Sequence, residues 1–192
     1  SVGFERQPAT TATPSSTSAT LSSSLDWGYW EDGERPETTS ARMLSNAGAY
    51  IQAPEGMLTS VTLSDSAMSA LQDPLMADGV RFNWVGGTGL ASRVGSDVIP
   101  VLSDSFIELS HNTGVSVEIL LEGFGTLSGS GPAETFSLDG IRLESIVCGD
   151  SGCLDGGEFN GRYLGEEAQQ VMSVIEAGRG TGTYHGGGAY ER

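Results

Sequence analysis

Lysine is absent from this chain: its nine basic residues are all arginines, set against 25 acidic side chains. The formal charge of −16 at pH 7 leaves no basic footprint for displacing counterions from nucleic acid, so nucleic-acid binding is excluded as a main activity. An anionic membrane surface is disfavoured for the same reason. Such a charge keeps a protein soluble and suits a salty or calcium-containing medium. No apolar run approaches the length of about eighteen residues needed for a membrane-spanning helix. Aromatic residues make up only 7% and hydrophobic residues 38%. Cysteine occurs twice, at Cys148 and Cys153, and no further cysteine stands near to complete a metal site. The spacing suits a bridge across a tight turn, so a Cys148–Cys153 disulfide is expected, and with it an oxidising, extracytoplasmic setting. The chain begins at Ser1 without methionine or signal peptide, as a processed form or a piece of a longer protein would.

What is abundant is glycine, 28 residues, together with serine and threonine, a composition that points to an all-β fold rich in turns. Residues 8–24, PATTATPSSTSATLSSS, are Pro, Ala, Ser and Thr except for Leu21. Such a segment cannot repay its ordering entropy by itself. Residues 1–24 therefore read as an extended arm, either a linker or an added strand. Val2 and Phe4 alternate with small or polar residues, and with Leu21 they are the apolar anchors of such an arm on its own body or on a neighbour.

Residues 25–192 read as the folded domain. The stretch 105–123, SFIELSHNTGVSVEILLEG, carries period-two alternation on both arms of a hairpin turned at HNTG. Further strands are expected at 25–30, 81–87, 135–138, 141–147, 158–164, 169–177 and 181–192. One short helix is expected near 64–77, capped by Ser64 or Asp65 and limited by Pro74 and Gly79. Many short strands with little helix predict a sandwich or a barrel. Trp27, Tyr29, Trp30, Phe82, Trp84, Phe159 and Tyr163 are expected mostly to fill a barrel.

The stretch 157–177, GEFNGRYLGEEAQQVMSVIEA, resembles the Gly-x-Phe-x-Gly-x-x-x-Gly-x-x-Ala-Glu strand pair of the transferrin-binding-protein-B-like β-barrel. Gly157, Phe159, Gly161, Gly165 and Ala168 match; Glu166 stands where proline is usual and Gln169 where glutamate is. Trp27-Gly28-Tyr29-Trp30, Val85-Gly86-Gly87-Thr88, the cysteine pair and Gly188-Ala189-Tyr190 fall in the order that such barrels show at the C-terminal ends of bacterial surface proteins. The resemblance implies an eight-stranded antiparallel β-barrel, an extracellular or bacterial outer-surface location and a non-enzymatic role. That role is binding a host protein, an iron carrier or haem, or acting as a structural module.

The tetrapeptide GDSG at 149–152 also occurs around the nucleophile of trypsin-like proteases. Here a cysteine follows it, and neither His111 nor His185 sits in the surroundings a triad needs, so no catalytic residue is assigned. His111 and His185 are the candidate ligands for haem, although a lone histidine in a turn or strand is the commoner case. Asp150, Asp155 and Glu158 are the calcium candidates, but they lack the EF-hand order, and a solvated acidic turn is the simpler reading. Two functions compete: a filament or layer subunit that self-assembles or joins another surface protein through its arm, and a secreted binder of an iron-carrier protein or haem.

Overall fold

The computed structural model describes residues 4–5, 25–30, 42–45, 48–53, 59–60, 80–92, 98–110, 114–132, 140–164 and 169–192. The strands in chain order are β1 (Phe4–Glu5), β2 (Asp26–Trp30), β3 (Arg42–Leu44), β4 (Ala49–Gln52), β5 (Thr59–Ser60), β6 (Val80–Gly87), β7 (Leu90–Ser92) and β8 (Val98–Ile99). They continue with β9 (Phe106–Ser110), β10 (Gly114–Leu121), β11 (Gly125–Gly131), β12 (Ile141–Val147), β13 (Gly156–Leu164), β14 (Gln170–Arg179) and β15 (Gly182–Glu191). No helix occurs among the described residues. The helix expected near 64–77, the strand expected at 135–138, His111, Val2 and Leu21 all lie outside them.

The expected hairpin forms β9 and β10, with Ser110 opposite Gly114. Its alternation decides its faces: Ile107, Leu109, Val115, Val117, Ile119 and Leu121 are buried, while Glu108, Ser116 and Glu118 face outward. Neighbouring strands repeat the pattern. The order β14-β13-β12-β11-β10-β9-β6-β15, all antiparallel, returns on itself through the β14–β15 pairing and closes an eight-stranded barrel. Closure leaves no free edge among these strands. Short β7 extends the β15 ladder beyond β6 and carries β8, while β5 pairs with the end of β13.

The lumen is filled by side chains, as a barrel of this size allows. Phe82, Trp84, Phe159, Tyr163 and Tyr190 belong to one buried cluster with the aliphatic residues of β9–β12. Trp84 and Phe159 each meet Tyr190 edge-on, with centroids 5.3 and 6.0 Å apart. The Gly186–Gly188 run makes room on both sides of β15. A Cβ at Gly188 would enter the Trp84 ring, and one at Gly187 would lie 2.9 Å from the Tyr50 carbonyl oxygen on the opposite face.

That second contact belongs to a further layer, which the period-two pattern does not announce. Strands β1, β2, β4 and β3, in that order, form a separate four-stranded sheet. It lies on the outer face of the barrel, with β4 against β14 and β15, β2 against β15 and β3 against β14. A second buried cluster fills the interface: Leu25, Trp27, Met43 and Ile51 from the sheet side, and Met172, Val174 and Ala189 from the barrel side. The expectation that Trp27 and Tyr29 fill the barrel is therefore corrected. Trp27 lies between the layers, and Tyr29 is half-buried at the same seam; the side chain of Trp30 lies outside the described residues.

Candidate functional site

Two built regions stand out. The first is the seam between the outer sheet and the barrel. Thr88, fully buried, ends β6 and joins it to β15: its backbone N–H donates to Gly187 O at 2.8 Å, and its Oγ1 accepts from Gly187 N at 3.0 Å. The Tyr29 hydroxyl, from β2, reaches Thr88 O at 3.4 Å and Gly89 O at 3.2 Å. Burial pushes the Tyr29 phenol up to about 12, with its contact to Thr88 opposing the rise. The motif Val85-Gly86-Gly87-Thr88 thus ends in the residue that latches one layer to the other. Arg162, on the outer face of β13, reaches the Arg42 carbonyl of β3 at 3.5 Å, and burial holds its guanidinium below its ordinary value.

His185 also lies at this seam and is only 3% exposed. Its ring abuts Gly48, where a Cβ would lie 3.5 Å away, and its Nδ1 is 3.7 Å from Glu176 Oε1. Register places Arg142, Glu158, Glu176 and His185 in one row across β12, β13, β14 and β15. Opposed Glu158 and Glu176 repel, and the flanking Arg142 guanidinium offsets this. The Glu158 carboxylate also accepts a 2.7 Å hydrogen bond from Asn160 Nδ2. An iron axial ligand needs an open approach to its ring nitrogen; reaching His185 with a planar macrocycle would require lifting the outer sheet.

The second region is the end of the barrel that carries the β10–β11, β12–β13 and β14–β15 turns. Cys148 and Cys153 form the expected disulfide, with Cα atoms 4.7 Å apart. Inside it Gly149 and Gly152 exchange backbone hydrogen bonds of 3.0 and 3.1 Å. The clip is tied sideways: Ser151 N donates to Gly123 O at 2.7 Å, and Arg179 Nη2 lies 3.5 Å from Ser151 O. Gly123 has φ +77°, a left-handed conformation that favours glycine, and a Cβ there would also crowd Ser151 Oγ at 2.9 Å. The Arg179 guanidinium also stands 4.7 Å from the centre of the Phe124 ring. Ser151, the serine of GDSG, is thus an exposed residue of a disulfide-closed turn.

The calcium candidates are not gathered. Asp155 Oδ2 accepts from Gly180 N at 2.7 Å, Glu158 belongs to the outward charge row, and Asp150 is exposed on the clip. Among the described residues no group of three or more His, Cys, Asp and Glu side chains is placed to hold a metal ion. Phe4, the one described residue of the proposed arm anchors, sits in β1, where its backbone pairs with Trp30.

The molecule is thus an all-β protein: a closed, side-chain-filled antiparallel barrel with a second sheet on its outer wall. Compared with known proteins, the chain matches no family model, no curated protein and no solved structure.

Proposed function

We propose that this chain is a non-enzymatic, extracellular protein–protein contact module of a bacterial surface structure, assembled into a filament or layer through its N-terminal arm. The observation that carries this reading is the edge position of β1: Phe4 and Glu5 pair antiparallel with Trp30 and Tyr29 at the rim of the outer sheet. A strand edge that accepts two residues of its own arm accepts the same residues from a neighbour by the same backbone hydrogen bonds. Exchange of such an element between copies is a low-cost route to assembly. The filled lumen supports the reading, since a partner must then be met on the surface. The disulfide fits an oxidising exterior.

Deleting residues 1–24 tests it. Loss of polymers in sedimentation velocity, with an unchanged β-sheet spectrum, is the expected result; polymers of unchanged size would overturn the proposal. A second reading, a surface binder of a host iron-carrier protein or haem, draws its support from the resemblance carried by Gly157, Phe159, Gly161, Gly165 and Ala168. It predicts a monomer whose ligand binding survives the deletion.

A further inference from the structure

We infer that the disulfide-clipped end of the barrel is a docking surface for a basic partner protein, anchored on Ile146 and Val147. These two side chains are each 55% exposed, the most exposed of the large apolar residues among those described. Their exposure side by side is produced by a specific backbone device. Along β12, Ile141 and Leu143 point into the barrel while Arg142 and Glu144 point out. Alternation by itself would point Ile146 outward but return Val147 to the lumen. Instead the register shifts: Thr126 faces Val147 but Leu127 faces Ser145, leaving Ile146 as the extra residue of a bulge. The bulge presents two consecutive β-branched apolar residues to solvent, each more exposed than the other large apolar residues described. Bulges gather where a side chain has to be re-aimed, and this one costs a ladder position.

The surroundings are rigid. Cys148 follows Val147 directly, and the clip is bound to the β10–β11 turn through Gly123 and to the β14–β15 turn through Arg179. Three turns are thereby held in one arrangement before any partner arrives, which lowers the ordering cost of association. The two other large exposed apolar residues among those described, Val98 at 36% and Leu102 at 38%, lie at the same end of the barrel. Leu102 N donates to Leu120 O at 2.8 Å, and Pro100 O accepts from Glu122 N at 3.0 Å, which fixes their segment beside the β10–β11 turn.

Charge selects the occupant. The exposed charged residues described at this end are Asp104, Glu122, Glu144, Asp150 and Asp155 against Arg179 alone, whose guanidinium is engaged with Phe124 and Ser151. Apolar anchors inside an acidic rim fit a partner with a small apolar patch bordered by arginine or lysine, and the rim steers its approach. A second copy of this chain meets the same rim with the same sign and is disfavoured.

This inference rests on the contact-module reading, but its test is independent of the arm. A displayed random-peptide library is selected on the full chain and counter-selected on the Ile146→Ser/Val147→Ser double variant, whose fold is checked by its spectrum and melting curve. Enrichment of basic peptides bearing apolar residues is expected. Synthetic copies should bind the double variant at least about tenfold more weakly, a loss of about 1.4 kcal/mol. Their binding should weaken with salt, and Glu144→Gln/Asp150→Asn should flatten that salt dependence. Enriched peptides that are acidic, or that bind both proteins equally, overturn the inference. So does sedimentation of the wild type, but not the double variant, with phosphatidylcholine vesicles, which would make the partner a membrane. If the arm deletion fails to dissolve polymers while these peptides bind as expected, the assembly reading alone falls.

Discussion

The wall formed by β9–β12 and the wall formed by β14–β15 belong to one barrel and differ in what covers them. On the first, buried and outward residues alternate, most regularly along β10. On the second, Gln170 to Ile175 are buried without interruption, because the outer sheet removes the outward-facing residues from water as well. The two walls share their backbone ladder and their lumen. The difference lies in Met172, Val174 and Ala189, apolar residues on a face that the other wall gives to Ser116, Glu118 and Ser128. A barrel strand that is apolar on both faces therefore marks where a second layer sits.

The comparison is broken most severely by placing a charge on each outer face. Val174→Asp buries a carboxylate between two layers and is expected to cost about 3–5 kcal/mol. Ser130→Asp, exposed on the open wall opposite Ser116, should stay within about 0.5 kcal/mol; denaturant midpoints of both variants measure the contrast. Steric substitution comes next. Gly188→Ala drives a methyl into Trp84 and should cost about 1–3 kcal/mol. Gly182→Ala, whose Cβ would meet only the Arg179 carbonyl oxygen at 3.5 Å, should be close to neutral by the same assay.

Reducing Cys148–Cys153 opens a loop with a sequence separation of only 5, so the chain-entropy gain to the unfolded state is at most about 2 kcal/mol. The barrel should remain folded, with faster amide exchange confined to the turn around Ser151. The smallest effect concerns the latch. Tyr29→Phe removes the hydroxyl contacts to Thr88 and Gly89 and should cost about 1 kcal/mol. Its pH dependence is the sharper test. Tyr29 ionises near 12 in the folded protein against 10.0 in the unfolded chain, so between those values the native state holds the extra proton. Its contribution is complete below pH 10 and is lost as pH rises through about 12. Tyr29→Phe should reduce the alkaline loss of stability, leaving the part due to Tyr190, whose phenol burial also raises.

Much of the open wall was legible because a surface strand with one wet face has to alternate. The strands at 81–87, 141–147, 158–164 and 181–192 fall close to their observed places for the same reason. The cysteine spacing likewise led directly to the clip. The outer sheet was not legible. Arg42–Leu44 and Ala49–Gln52 are too short to show a period, and their burial is set by a partner surface far away in sequence. One sign of it was present in the residues: VMSVI at 171–175 has apolar side chains of both parities, which a half-buried strand does not need. The bulge at Ile146 was hidden too, since IRLESIV reads as regular alternation up to Ser145 and register alone exposes the slip.

The arm's passage between copies is tested most directly by cross-linking at the observed pair Phe4 and Trp30, whose Cα positions are partners in the β1–β2 register. Chains carrying Phe4→Cys alone are mixed with chains carrying Trp30→Cys alone and oxidised gently. The assembly account predicts a cross-linked heterodimer of the two chains. Monomers only, alongside closure of the bridge within a single chain of the Phe4→Cys/Trp30→Cys double variant, would contradict it.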